Sequence, residues 1–231
     1  MVMIECILFD LDNTLYPKSL GIFEMVVQRI WDYMEGPMGL EKDFAKQLRQ
    51  EYVKRYGSTL RGLMAHYHVD PEDYLDYVHD VAVEKKLSPN PSLSDLLGSI
   101  SFQKVIFTSA HRPHAQKVLS CLGVEQYFSS IFDISFADYV PKPNPEPYEK
   151  ILAVLGVSGE KCLMIEDTAV NLRPAKEMGM TTVLVSPNAV PLEPHIDYQI
   201  ADILDLRKIL RTMNNAQCTM NNGPREKDDE Q

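Results

Sequence analysis

Four short segments carry the side chains able to do chemistry together. Asp10-Leu11-Asp12-Asn13-Thr14 follows one apolar run, and Thr108-Ser109 follows another. Lys142 stands in Val-Pro-Lys-Pro-Asn-Pro-Glu-Pro-Tyr, and Glu166-Asp167 ends a third apolar run. Alone, two aspartates after a strand are as readily a helix cap or an Asx turn. A strand-end hydroxyl, a lysine and an acidic pair following in that order turn the set into a candidate site. Two acids two residues apart on a strand face the same way. Here the strand ends at Asp10 and the chain turns, so both carboxylates address one small volume. Phosphoryl transfer asks for such a set: a nucleophile in line, neutralisation of charge, and a proton donor for the leaving oxygen.

The elements that must position these groups follow from hydrophobic periodicity. Residues 4 to 9 read as a buried strand delivering Asp10 at its carboxyl end, and 104 to 107, 162 to 165 and 182 to 185 are similar runs. Residues 111 to 122, 145 to 155, 169 to 178 and 203 to 213 carry apolar residues at helical spacing. Strand and helix alternate from about residue 100 onward, which predicts an α/β fold: a Rossmann-like, doubly wound parallel sheet that binds ligands outside the carboxyl ends of its strands. Between the first two strands the pattern is helical. One stripe runs from Ile22 to Met34 and stops at Gly36-Pro37, and a second from Phe44 to Tyr56 stops at Gly57. A short third helix spans 58 to 66, and a fourth opens at Asp70-Pro71 and continues to the Ser88-Pro89-Asn90-Pro91 stop. The expected organisation is a core of residues 1–15 and 96–213, a helical-bundle cap over 16–95 inserted after the first strand, and a disordered tail over 214–231.

Of the 231 residues, 45% are apolar and 24% charged, as in soluble globular chains, which excludes collagen-like, coiled-coil and wholly disordered classes. The 33 acidic against 23 basic residues give a formal charge of −10, unsuited to a nucleic-acid polymer. No apolar stretch approaches the roughly 18 to 20 residues of a membrane helix. Four cysteines without CxxC spacing, and an apolar start broken by Glu5, predict reduced thiols and a cytoplasmic location. A single small phosphate ester does not conflict with the acidity, because local charge decides anion binding.

In these residues the chain resembles the haloacid dehalogenase superfamily of aspartate-nucleophile phosphatases, over nearly all of residues 4 to 212. The first motif, DxDx[TV], is met by Asp10, Asp12 and Thr14, the second by Thr108, the third by Lys142, and the fourth by Glu166 and Asp167. Residues 8 to 17, 56 to 63 (Tyr-Gly-Ser-Thr-Leu-Arg-Gly-Leu) and 171 to 176 (Asn-Leu-Arg-Pro-Ala-Lys) are similar to the pyrimidine 5′-nucleotidase branch, from which Ser109 departs where Asn is common. The resemblance implies that Asp10 attacks phosphorus and forms an aspartyl-phosphate, while Asp12 protonates the departing alkoxide and later accepts a proton from water. Thr108 and the Ser109 backbone N–H are expected to bind the phosphate, and Lys142 to neutralise it. A carboxylate approaching a phosphate dianion is repelled, so Mg²⁺ is expected on Asp10, Asp167 and the Asp12 backbone carbonyl, with Glu166 either a direct ligand or a partner of the ligands. Haloacid dehalogenases attack carbon and typically lack the second aspartate, so Asp12 favours a phosphatase.

The implied substrate is a nucleoside 5′-monophosphate, pyrimidine preferred. A sugar-phosphate phosphatase or a β-phosphoglucomutase-like phosphotransferase would use the same intermediate, and a non-catalytic regulatory module is opposed by the complete motif set. The cap segment from Lys42 to Arg61 is basic within an acidic chain, and Arg61 with Tyr56 is expected to face the nucleotide. Asn171 is expected to orient Lys142 or the metal ligands. His66 and His68 read as structural, His111 and His114 as capping or polar surface groups, and Phe23 and Trp31 as core.

Overall fold

The computed structural model describes residues 3–189, 191 and 193–221, with side chains through residue 213. Among these, six strands form one sheet: β1 (Cys6–Phe9), β2 (Gln103–Phe107), β3 (Ser130–Phe132), β4 (Cys162–Glu166), β5 (Thr181–Val185) and β6 (Tyr198–Ile200). The helices are α1 (Ile22–Glu35), α2 (Lys42–Tyr56), α3 (Thr59–Tyr67), α4 (Pro71–His79), α5 (Pro91–Gly98), α6 (Arg112–Leu122), α7 (Pro145–Leu155), α8 (Leu172–Glu177) and α9 (Leu206–Asn221). All pairings are parallel, in the order β3-β2-β1-β4-β5-β6. The chain builds outward from β1 on one side, then returns to build outward through β4 on the other. The reversal lies between β1 and β4, where open α/β sheets form their ligand crevice.

Both faces of β1 and β4 are covered, which is why their sequences are apolar, up to Glu166 at the end of β4, and do not alternate. Ile7, Phe9, Leu163 and Ile165 pack on one face with α5 and α6; Cys6, Leu8, Cys162 and Met164 pack on the other with α7 and α8. Cys6, Cys121 and Cys162 are free thiols. Among the described residues no helix is long and apolar enough to cross a membrane.

Helices α1 to α4 pack on one another over the strand ends. Gly62 permits the α2–α3 contact, because a Cβ there would lie 2.1 Å from the Tyr52 ring. Gly57 closes α2 at φ +80°, and a Cβ there would meet Pro141 at 3.1 Å, next to Lys142. Helix α4 is tied to the core by His111, whose ring lies 3.1 Å from Glu72 Oε2 and 3.3 Å from Asp76 Oδ1, and by the Tyr139 hydroxyl, which donates to Glu72.

Four expectations need correction. Helix α4 stops at His79, and the apolar residues that continued its pattern, Val81 and Ala82, lie in a connection where Val81 is buried, Ala82 is half-buried and the Val81 carbonyl accepts from Lys117 at 3.1 Å. A buried coil mimics helical spacing. The division expected at 95/96 falls inside α5, and β3 and β6, three residues each, were too short to read. Helix α9 continues through Asn221, past the expected tail start at Asn214, because a polar helix carries no apolar signal; residues 222–231 of that tail lie outside the described residues.

Candidate active site

Asp10 continues β1, its amide bonded to the Ile165 carbonyl at 2.9 Å, so its side chain leaves the sheet at the reversal. Asn13 then takes a left-handed conformation, φ 63°, a geometry that asparagine tolerates better than most residues. The turn aims Asp10 and Asp12 into one cavity of about 280 Å³, which Ser109, Thr108, Lys142, Glu166, Asp167 and Asn171 also line. The motif residues, scattered over more than 150 positions, thus meet at one end of four neighbouring elements.

Lys142 is the hub. Its ammonium donates to Asp10 Oδ1 at 2.6 Å, to Glu166 Oε2 at 2.6 Å and to the Phe107 carbonyl at 3.0 Å, using all three N–H groups. The second Asp10 oxygen accepts from Thr14 Oγ1 at 2.9 Å. Burial, reinforced by Glu166, pushes the Asp10 carboxyl up to about 7 against the pull of Lys142. Burial alone would lower Lys142, yet Asp10 and Glu166 hold it above the ordinary lysine range and therefore charged. Asp167 is also raised, by burial and by Asp10. One oxygen each from Asp10, Glu166 and Asp167 lies within 4.8 Å of the others, a hard-oxygen set that fits Mg²⁺. The other Glu166 oxygen accepts from the Thr168 amide at 3.2 Å.

Asp12 behaves differently. Burial would raise its pKa, but His114 and Tyr16 outweigh that and hold it below the usual carboxylate range. His114 Nε2 lies 2.9 Å from Asp12 Oδ1, and the Tyr16 hydroxyl donates to the same oxygen. His114 is therefore a buried partner of Asp12 and neither a cap nor a surface group. His111 stands at the N-cap of α6 without a side-chain capping bond, its ring turned to Glu72 and Asp76 of α4. The signal for His114 was its place in the first turn after the second motif, and for Tyr16 its place in the segment 8 to 17, neither of which says that the side chain meets Asp12. Thr108 Oγ1 accepts from the Ala110 amide at 3.0 Å, which leaves its hydroxyl hydrogen for the cavity.

Two expected substrate residues are elsewhere. Tyr56 lies 2.6 Å from His66 Nε2, and Arg61 sits in the first turn of α3; neither lines the catalytic cavity. The branch motif from 56 to 63 instead makes the α2–α3 joint, through the Ser58 cap and Gly62. Phe23, expected in the core, is 45% exposed and lines the cavity mouth with Lys18 and His79. Trp31 is half-buried, with the Arg49 guanidinium 5.1 Å from its ring centre. Asn171 lines the cavity, and its carbonyl accepts from the Tyr148 hydroxyl at 2.6 Å.

A family model described as haloacid dehalogenase-like hydrolase matches residues 4–179. The chain belongs to the haloacid dehalogenase-like hydrolases. It is 28% identical over 221 residues to the phosphoglycolate phosphatase of Aquifex aeolicus, covering 88% of this chain and 95% of that one. Against the glyceraldehyde 3-phosphate phosphatase of Methanopyrus kandleri it is 30% identical over 217 residues, 87% and 92% of the two chains. The match to Phosphate metabolism protein 8 of Saccharomyces cerevisiae, 27% identical over 191 residues, takes in 76% of this chain and spans 60% of the yeast protein's length. Among solved structures, a HAD phosphatase from Thermococcus onnurineus superposes with a TM-score of 0.61 at 24% identity over 90% of this chain and 98% of that one, a likeness of fold. Within the family the chain is a phosphatase. The relatives' names do not carry the finer pyrimidine 5′-nucleotidase branch.

Proposed function

We propose that this haloacid dehalogenase-like hydrolase cleaves small phosphate monoesters through an aspartyl-phosphate on Asp10, with Mg²⁺ held by Asp10, Asp167 and the Asp12 carbonyl. The observation that carries the reading is the convergence of Asp10, Asp12, Thr108, Lys142 and Asp167 on one cavity. Asp10 forms its bond to phosphorus as the bond to the leaving oxygen breaks, and Asp12, ionised in the empty site but protonated as the negative charge of the phosphate enters beside it, gives that oxygen its proton. Water then attacks the phosphorus of the aspartyl-phosphate, Asp12 takes the water's proton, and Asp10 is freed with inorganic phosphate. Lys142 fixes the Asp10 oxygen and opposes the charge of the incoming dianion, while Thr108 and the Ser109 N–H bind the phosphoryl oxygens. Mg²⁺, when bound, supplies further positive charge against the phosphate and draws the raised carboxyls toward their ionised forms. Glu166 accepts from Lys142 through one oxygen and from the Thr168 amide through the other, and so holds Lys142 in place whether or not it also touches the ion.

For the substrate, the relatives named for phosphoglycolate and glyceraldehyde 3-phosphate support a small phosphorylated acid or sugar. A second reading, a nucleoside 5′-monophosphate, is favoured by an apolar cavity that adjoins the catalytic one and exceeds the needs of a two-carbon leaving group. Phosphate release is to be screened over phosphoglycolate, triose and hexose phosphates and nucleoside monophosphates, with and without Mg²⁺, and for isomeric sugar-phosphate products. Asp10→Asn is expected to lower Mg²⁺-dependent release by at least about 10³-fold; retention of most activity sinks the nucleophile assignment.

A further inference from the structure

The catalytic cavity does not end at the phosphoryl site. A second cavity of about 280 Å³ adjoins it on the cap side, and the two share Phe23, Val26, His79, Ser109 and Lys142. Its outer wall is apolar, built from Ile30 of α1, Leu60 of α3, and Leu75 and Val78 of α4. Into this wall α2 places one cation, Arg49. The guanidinium lies against the Trp31 ring, 5.1 Å from its centre, which limits its rotation from behind. Its Nε is buried and has no hydrogen-bond partner among the described residues. Other arginines do have partners: the Arg29 Nε donates to the Tyr77 carbonyl at 3.1 Å, and Arg112 and Arg173 each donate to a carboxylate.

A buried guanidinium N–H without an acceptor is uncommon, because such a group is costly to strip of water and leave unsatisfied. The Arg49 side chain lines the cavity, so a ligand oxygen arriving there would give its guanidinium the acceptor that the described residues do not supply. The apolar wall suits a flat carbon framework, and the cation at its far side suits a carbonyl or carboxylate oxygen carried on that framework. We propose that Arg49 is a specificity-determining residue, binding an acceptor oxygen on the leaving group of the phosphate monoester whose phosphoryl end sits at Asp10. The inference rests on the phosphatase reading above and names what that reading leaves open. It also replaces the sequence expectation for Arg61: the basic cap segment does meet the substrate, but from the middle of α2.

The acceptor has two sources, a carboxylate on a flat leaving group as in 4-carboxyphenyl phosphate or a ring carbonyl as in uridine 5′-monophosphate. Phenyl phosphate has a flat leaving group with neither. The test compares these three substrates by kcat/KM in the wild type and in Arg49→Met, which keeps most of the side-chain volume. Affinities for the same three ligands are measured calorimetrically in the Asp10→Asn background, with and without Arg49→Met. The ratio of kcat/KM for the preferred acceptor-bearing substrate to that for phenyl phosphate is expected to fall by about 10- to 100-fold, chiefly through KM, with a matching loss of relative affinity. Arg49→Lys is expected to recover part of the ratio if the acceptor is a carboxylate and less if it is a ring carbonyl. Equal losses on all three substrates, or unchanged relative affinities, overturn the proposal. A wild type that releases phosphate from none of them sinks the phosphatase reading instead, and the calorimetric comparison still decides Arg49.

Discussion

The cavity at the strand ends and the cavity under the cap meet at Lys142, yet they are built in opposite ways. In the first, charges are dense and matched: Lys142 spends its three N–H groups on Asp10, Glu166 and Phe107, Thr14 holds the second Asp10 oxygen, and His114 with Tyr16 holds Asp12. In the second, the walls are aliphatic and aromatic, and the Arg49 Nε is without an acceptor among the described residues. Groups that stabilise a transition state act best when fixed before the substrate arrives, and a parallel sheet with both faces covered fixes them. Groups that choose between substrates act best when the substrate itself completes them, and a helical cap leaves them incomplete.

That contrast is open to breakage, first where the effect is greatest. Lys142→Met removes the cation between two buried carboxylates. It should destabilise the fold by about 3–5 kcal/mol in chemical denaturation, and lower kcat by about 10³-fold or more. A small change in both would mean that the strand-end charges are not held by mutual compensation. Next comes His114→Ala, which removes one of the two partners that aim the Asp12 carboxyl, a loss of position that outweighs its easier protonation. Alkyl phosphates, whose leaving oxygens need a proton, should lose about 10²-fold in kcat, and p-nitrophenyl phosphate much less in the step that releases nitrophenol. Rapid-mixing kinetics should then show a nitrophenol burst followed by slow turnover. Equal losses on both substrates would reduce His114 to a packing residue.

The smallest effect belongs to the seam between the cavities. Burial depresses the His79 pKa from 6.5 to about 4 in the fold. The unfolded chain therefore binds its proton first, and the stability that neutral His79 contributes is present above pH 6.5 and lost as pH falls toward 4. On lowering the pH from 7.5 to 5, the wild type should lose on the order of 1–2 kcal/mol through this residue. His79→Gln should flatten that part of the profile, measured as urea midpoints at the two pH values. An unchanged profile would show that the seam admits water freely.

The strand-end half of this picture is legible in the sequence. Apolar runs at 4 to 9 and 162 to 165, each followed at once by acids, could hardly be other than central parallel strands, and their ends then had to meet. The cap was legible as helices, from Gly57 as a stop and Asp70-Pro71 as a start. What failed there was direction. Arg49 and Arg61 lie in the same basic segment, and periodicity does not say which reaches the cavity. Phe23 belongs to the apolar stripe yet lines the cavity, because it stands at the exposed edge of a stripe whose neighbours Ile22 and Val26 take the core.

By itself, then, the sequence determined the α/β core, the inserted helices and the residues gathered around Asp10, because a strand has two faces and one end, and both are written in local pattern. Only the tertiary structure decided that His114 and Tyr16 hold Asp12, and that Arg49 and not Arg61 or Tyr56 lines the cap cavity. Those contacts depend on how helices cross one another and the sheet. That crossing is set by close approaches such as Gly62 against Tyr52, between residues ten positions apart whose pairing no local periodicity encodes.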